Sequence, residues 1–195
     1  MLTRNRFFVK EHVGVMKLTD TFDIIDPDTQ QQIGVAREEP PGWIKAARLV
    51  VSKKLLPNQV NVYENEQQPP IFSMHKPFTL FRSKVRVFDG SGTELGYFLS
   101  KVLSLGGGFR VFDTQDRQVA EVKGDWKGWN FTFIGADGEE LETVTKKWAG
   151  IGKELFTSAD NYMISIAEGH ESNPTVKILL LAAALAIDTV YKERN

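Results

Sequence analysis

NPTVKILLLAAALAIDTVYKERN, residues 173–195, closes the chain with a pattern that is apolar on every side. Pro174 suits the first helical turn, Ser172 or Asn173 suits the cap, and the pattern predicts a helix over about 174–191. A helix with no polar face belongs inside a protein or inside a bilayer. Length separates the two. The uncharged run Ile178–Ile187, bounded by Lys177 and Asp188, spans only about 15 Å as a helix, half of the hydrocarbon thickness. The alanines at 182, 183, 184 and 186 suit close approach to surrounding backbone. The expectation is therefore a buried central helix, with membrane insertion the lesser alternative.

A buried helix needs walls, and a recurring hairpin supplies them. The copies are FDIIDPDTQQQIGVA from Phe22, VNVYENEQQPPIFSM from Val60, VRVFDGSGTELGYFL from Val85, FRVFDTQDRQVAEVK from Phe109 and FTFIGADGEELETVT from Phe131. Each is an alternating apolar run, a polar turn and a second strand. The second strand opens seven residues after Asp26 and Glu64, and six after Asp89, Asp113 and Gly135. The acidic strand ends read as acceptors for turn amides rather than as a row of metal ligands. Five hairpins, the stretch Arg6 to Leu18 and the stretch Tyr162 to Ala167 make about twelve strands. Closure removes the two edges of so large an antiparallel sheet and leaves a lumen too wide for strand side chains alone. The predicted fold is mainly β: a twelve-stranded antiparallel closed barrel of repeated hairpins enclosing the hydrophobic C-terminal helix, one domain over 1–195.

A second helix is expected over about 43–54, entered through Pro40-Pro41-Gly42 and stopped before Pro57. Trp43, Ala47, Val50 and Val51 fall on one side, and Lys45, Arg48 and Ser52 on another, with Lys53 and Lys54 extending the charge. Lys45, Arg48, Lys53 and Lys54 are the candidate contacts for anionic headgroups. The plainer reading is a solvated face over a barrel opening.

Composition narrows the function. Apolar residues are 42% and charged residues 25% of the 195, with a formal net charge of −1, so no basic surplus points to nucleic acid. The absence of cysteine excludes disulfides, thiolate metal sites and thiol nucleophiles. The opening MLTRNRFFVKEHVG has no apolar run of signal-peptide length, so a cytoplasmic protein is expected, peripheral to a membrane if associated with one. His12, His75 and His170 are separate and read as surface or structural histidines. Gly90-Ser91-Gly92 is a hairpin tip, Gly106-Gly107-Gly108 joins two strands, and Gly150-Ile151-Gly152-Lys153 lacks the rest of a phosphate loop. Glu38, Glu39, Glu139 and Glu140 read as loop-solubilising carboxylates. Trp126, Trp129 and Trp148 read as wall packing. No catalytic constellation emerges, and a non-enzyme is expected.

With the hairpins, the segment KKWAGIGKELFTSADNYMISI and the apolar end in view, the chain resembles the phospholipid scramblase and LURP-one-related group of the tubby-like fold. The most specific part is the order Trp148, Gly150, Glu154, Phe156-Thr157, Ala159-Asp160-Asn161, followed by the terminal helix with Ile187-Asp188. The stretches KEHVG and KLTDTFDIIDP are similar to prokaryotic members. The resemblance implies a twelve-stranded barrel around a central helix. For function it implies calcium-dependent phospholipid movement (scramblases), phosphoinositide binding (tubby domains) or no settled activity (many LURP-one-related proteins). The acidic calcium segment of scramblases aligns with Ser158 to Gly169, where Ser158 replaces its first Asp and Met163 its Gly. Asp160 and Glu168 are left as calcium candidates, short of the six to eight oxygens calcium takes. The expected function is noncatalytic binding of anionic phospholipid or a membrane surface. The alternative is a soluble interaction or scaffold module, and phospholipid scrambling ranks third.

Overall fold

The computed structural model describes residues 1–12, 19–47, 51, 55–78, 84–100, 108–125, 128–146, 161–168 and 173–187. Twelve strands run in chain order: β1 (Arg6–Glu11), β2 (Thr21–Ile25), β3 (Gln32–Glu38), β4 (Asn58–Tyr63), β5 (Phe72–Lys76), β6 (Lys84–Asp89), β7 (Glu94–Ser100), β8 (Phe109–Asp113), β9 (Gln118–Asp125), β10 (Asn130–Gly135), β11 (Glu140–Thr145) and β12 (Tyr162–Ile166). Each pairs antiparallel with its sequence neighbours, and β1 closes on β12 through Arg6↔Ser165 to Val9↔Tyr162. The result is an up-and-down closed barrel without a free edge, as the repeat predicts.

The alternation that writes the strands also sorts them between lumen and exterior. Phe7, Ile24, Val60, Met74, Val87, Val111, Val122, Phe133 and Ile164 join one buried cluster, and their odd-numbered or even-numbered neighbours face away. The lumen is filled by α2 (Pro174–Ala186), whose residues from Lys177 onward are all buried. This helix meets β12 on one side and β5, β7 and β8 on another. Asn173 caps it, its Oδ1 accepting from the amides of Thr175 at 3.0 Å and Val176 at 3.3 Å. Lys177 does not mark the edge of the apolar run as its charge suggested. It is itself buried, and its Nζ donates to Asn5 Oδ1 at 2.7 Å.

A meander gives the barrel two unlike ends. The five repeated hairpins lie at one. Three share a single geometry: Asp89, Asp113 and Gly135 donate their amides to the carbonyls of Thr93, Arg117 and Glu139. In these three a left-handed residue stands at Gly92 (φ 86°), Asp116 (φ 59°) and Gly138 (φ 89°), and the register slips once beside each turn. This is a type I turn followed by a bulge. The hairpin from Asp26 is one residue longer, closing through Asp26 N to Gln31 O, with its left-handed residue at Gln30. The six-residue spacing corresponds to the first closure and the seven-residue spacing after Asp26 to the second, while the Glu64 hairpin, also spaced by seven, closes differently through Ile71 N to Val62 O.

The opposite end carries the remaining connections, among them residues 39–57 and 77–83. The predicted helix over 43–54 begins as α1 (Gly42–Ala47), and a Val51 N to Ala47 O bond of 2.9 Å follows. Its predicted orientation is corrected. Ile44 is fully buried, whereas Trp43, placed by the sequence on the apolar side, is 65% exposed.

Candidate functional site

β4, β5 and β6 are neighbours, and Gln59, His75 and Arg86 stand in register across them. Val60, Met74 and Val87 turn into the core, so period two places Gln59, His75 and Arg86 on the outer wall, together with Lys84 and Phe88. Pro41, Pro57 and Pro77 close the end of this row, and the whole forms a cleft of ≈ 380 Å³ that Asn58 and Lys76 also line. Among the described residues no carboxylate lines it.

The cations are held from behind. Lys84 Nζ sits 3.7 Å from the centre of the Tyr97 ring, which stacks on Phe112 at 5.1 Å. The Tyr97 hydroxyl donates to Asp116 Oδ1 at 2.6 Å. Arg86 Nε lies 3.9 Å from Glu94 Oε1, a loose pair that leaves the guanidinium about half exposed. His75 packs its ring 4.7 Å from that of Phe88. Its Nε2 is shielded from solvent and has no hydrogen-bond partner. Burial pushes the imidazole below its ordinary value of 6.5, so it is neutral at pH 7. His75 stands on the outer wall, as the surface reading expects, but its Nε2 is left unsatisfied.

The rim is apolar. Trp43, Val51 and Phe78 are the large hydrophobic side chains left exposed among the described residues. Trp43 follows Pro41 by two residues and Phe78 follows Pro77 directly, so both flank the cleft in sequence. All three belong to the connections at the same barrel end.

Glu38 and Glu39 stand behind this wall and are not loop solubilisers. Glu38 is buried, accepting from Asn58 Nδ2 at 2.6 Å and from the Asp20 amide at 3.0 Å. Glu39 accepts from Asn61 Nδ2 at 2.5 Å and from the Tyr63 hydroxyl at 3.0 Å. Burial, and then the bond to Glu39, raises the Tyr63 phenol above its ordinary value. These bonds fasten the start of the 39–57 connection to β4, and through Asn58 they set the floor of the cleft.

Of the sequence candidates, Arg48, Lys53, Lys54 and Asp160 lie outside the described residues, as does the side chain of Lys45 in α1. Glu168 is exposed on the turn after β12, at the hairpin end. Among the described residues no three His, Asp or Glu side chains converge as a metal site requires. His12 pairs with Asp23 at 2.7 Å, and His170 lies outside the described residues. Trp129 packs against Phe131 and Tyr162, with Lys146 Nζ 4.0 Å over its ring, as wall packing predicts. Trp126 and Trp148 fall outside the described residues, as does the motif from Trp148 to Asp160. Lys84 and Arg86 escaped the sequence reading. The signal that could have found them is two cations two apart on a strand whose alternate residues, Val85 and Val87, are apolar.

No helix among the described residues is long and apolar enough to cross a membrane. No match is found among curated proteins or among solved structures. A protein-family model described as Scramblase does match, over residues 21–194. That span takes in every strand from β2 onward and the enclosed helix, and on it the chain belongs to the scramblase family.

Proposed function

We propose that this scramblase-family barrel is a noncatalytic, peripheral binder of anionic phospholipid, meeting the bilayer with the end that carries α1. One observation carries the reading: a cleft bearing Lys84 and Arg86, with no carboxylate among its described lining residues, opens near the barrel end whose connections carry the exposed Trp43, Val51 and Phe78. Cations near an acidic leaflet each contribute about 1 kcal/mol, and aromatic side chains favour the headgroup boundary. Lys45, Arg48, Lys53 and Lys54 follow Trp43 in the same 39–57 connection of the sequence. The apolar α2 helix forms the barrel core, so the reading needs no spanning segment.

Flotation with phosphatidylglycerol and phosphatidylcholine vesicles tests this. The protein is expected to float with the anionic vesicles only, and Lys84→Glu/Arg86→Glu to weaken binding at least about tenfold. Lys53→Glu/Lys54→Glu is expected to weaken it to a smaller degree. Equal absence of binding to both vesicle types removes the proposal in favour of a protein-interaction module.

A further inference from the structure

His75 is the odd member of the cleft. Lys84 has an aromatic ring behind it and Arg86 has Glu94, whereas the imidazole's Nε2 has no hydrogen-bond partner and is out of reach of water. A buried polar group without a partner costs free energy in the empty protein. Its surroundings keep it uncharged. From β4 it faces the neutral Gln59, and from β6 it faces Arg86, with Lys84 further along the strand and Lys76 next on β5. The nearby carboxylates are engaged elsewhere: Glu94 beside Arg86, Glu38 on Asn58 and Glu39 on Asn61 and Tyr63. The phenol of Tyr97 is turned to Asp116. Within the cleft, then, Lys84, Arg86 and Lys76 stand around an imidazole whose Nε2 has no partner.

An anionic headgroup in the cleft opposes that field, because it sets negative charge beside Arg86 and Lys84 and so makes a proton on the neighbouring imidazole less costly. Resting on the proposed lipid binding at this cleft, we infer that headgroup binding takes up one proton on His75, making membrane attachment stronger as pH falls. By linkage, affinity then rises with acidity between the titration midpoints of the free and the occupied protein. The same coupling makes lipid raise the midpoint of the imidazole.

Phosphatidylglycerol vesicles are the probe, since the phosphodiester keeps its charge across the range. Wild-type affinity is expected to increase about fivefold to tenfold from pH 7.5 to 5.5, and His75→Gln to bind with less than about a twofold change. In wild-type protein, the His75 ring followed by NMR is expected to titrate about one pH unit higher with phosphatidylglycerol bicelles than without, the tenfold coupling read from the other side. The NMR arm does not depend on the folding of a variant. A pH dependence that persists in His75→Gln, or a midpoint unmoved by lipid, overturns the proton coupling. Binding that is intact but flat with pH overturns the coupling while leaving the cleft as the lipid site. Absence of vesicle binding at every pH overturns both.

Discussion

Glu142 sits on β11 opposite Phe133 and Ile166, both of which face the lumen. It is essentially without solvent exposure, and neither carboxylate oxygen has a hydrogen-bond partner. Burial pushes its carboxyl well above the ordinary 4.5. The group is protonated in the folded barrel at pH values where the unfolded chain has lost the proton. Between the unfolded and the folded midpoints the native state therefore binds more protons, so stability falls as pH rises through that window and levels off above it. Glu142→Gln, which removes the ionisation, is expected to match wild type at pH 4 and to exceed it at pH 8. The gain should be about 1–3 kcal/mol, the size of a buried-group desolvation penalty, read from urea midpoints at the two pH values. Asp89 carries the opposite sign. Its oxygens accept from the Ser91 hydroxyl and the Thr93 and Ser91 amides, which lower its carboxyl, so its contribution is lost as pH falls through the folded value. Asp89→Ala should lower the thermal midpoint at pH 7 and leave it less changed at pH 3. The Asp residues at strand ends were legible in sequence because their partners lie within four residues. Glu142, Glu38 and Glu39 were not. Their partners, or lack of them, depend on which strand lies alongside, and a carboxylate in a string of letters looks solvated by default.

At the scale of elements, the hairpins and the central helix were legible because both write periodic patterns, and even the one-residue difference in turn length shows in the spacing. Helix-to-wall contact does not show in any spacing. Gly96 on β7 faces α2, and a Cβ there would lie 2.2 Å from Phe112 O and 3.1 Å from Leu179 Cδ2, at a φ of 155°. Neither the backbone carbonyl nor the packed helix can give way cheaply. Gly92, by contrast, needs its φ of 86° for the turn but has open space around it. Gly96→Ala is expected to cost about 2–4 kcal/mol, and Gly92→Ala about 1 kcal/mol. Urea denaturation of the two variants separates a packing requirement from a backbone one. Similar losses for both would mean that the Phe112 carbonyl and Leu179 give way to a methyl group at Gly96. The orientation of α1 was misread for a related reason. Amphipathic counting puts Trp43 with the apolar set, but the connection buries Ile44 and Leu56 against the protein, and Trp43 turns outward.

The whole molecule is asymmetric along its axis, with tight hydrogen-bonded turns at one end and the exposed Trp43, Val51 and Phe78 at the other. A barrel without a binding partner has little reason to leave two aromatic side chains in water beside a cationic cleft. The two kinds of contact respond differently to salt. Attraction through Lys84 and Arg86 is screened over a Debye length of about 8 Å at physiological ionic strength, whereas burial of Trp43 and Phe78 in the headgroup boundary is not. Trp43→Ala/Phe78→Ala is accordingly expected to weaken binding to phosphatidylglycerol vesicles about tenfold or more, since burying each aromatic side chain is worth ~1.5–3 kcal/mol when complete. The loss factor should be similar at low and high salt. Lys84→Ala/Arg86→Ala is expected to show its loss at low salt and converge on wild type at high salt. Sedimentation of the three proteins with sucrose-loaded vesicles at two ionic strengths reads both. If the aromatic variant binds as wild type does while the cationic variant fails, the barrel meets lipid through its outer wall, with the α1 end turned away from the bilayer.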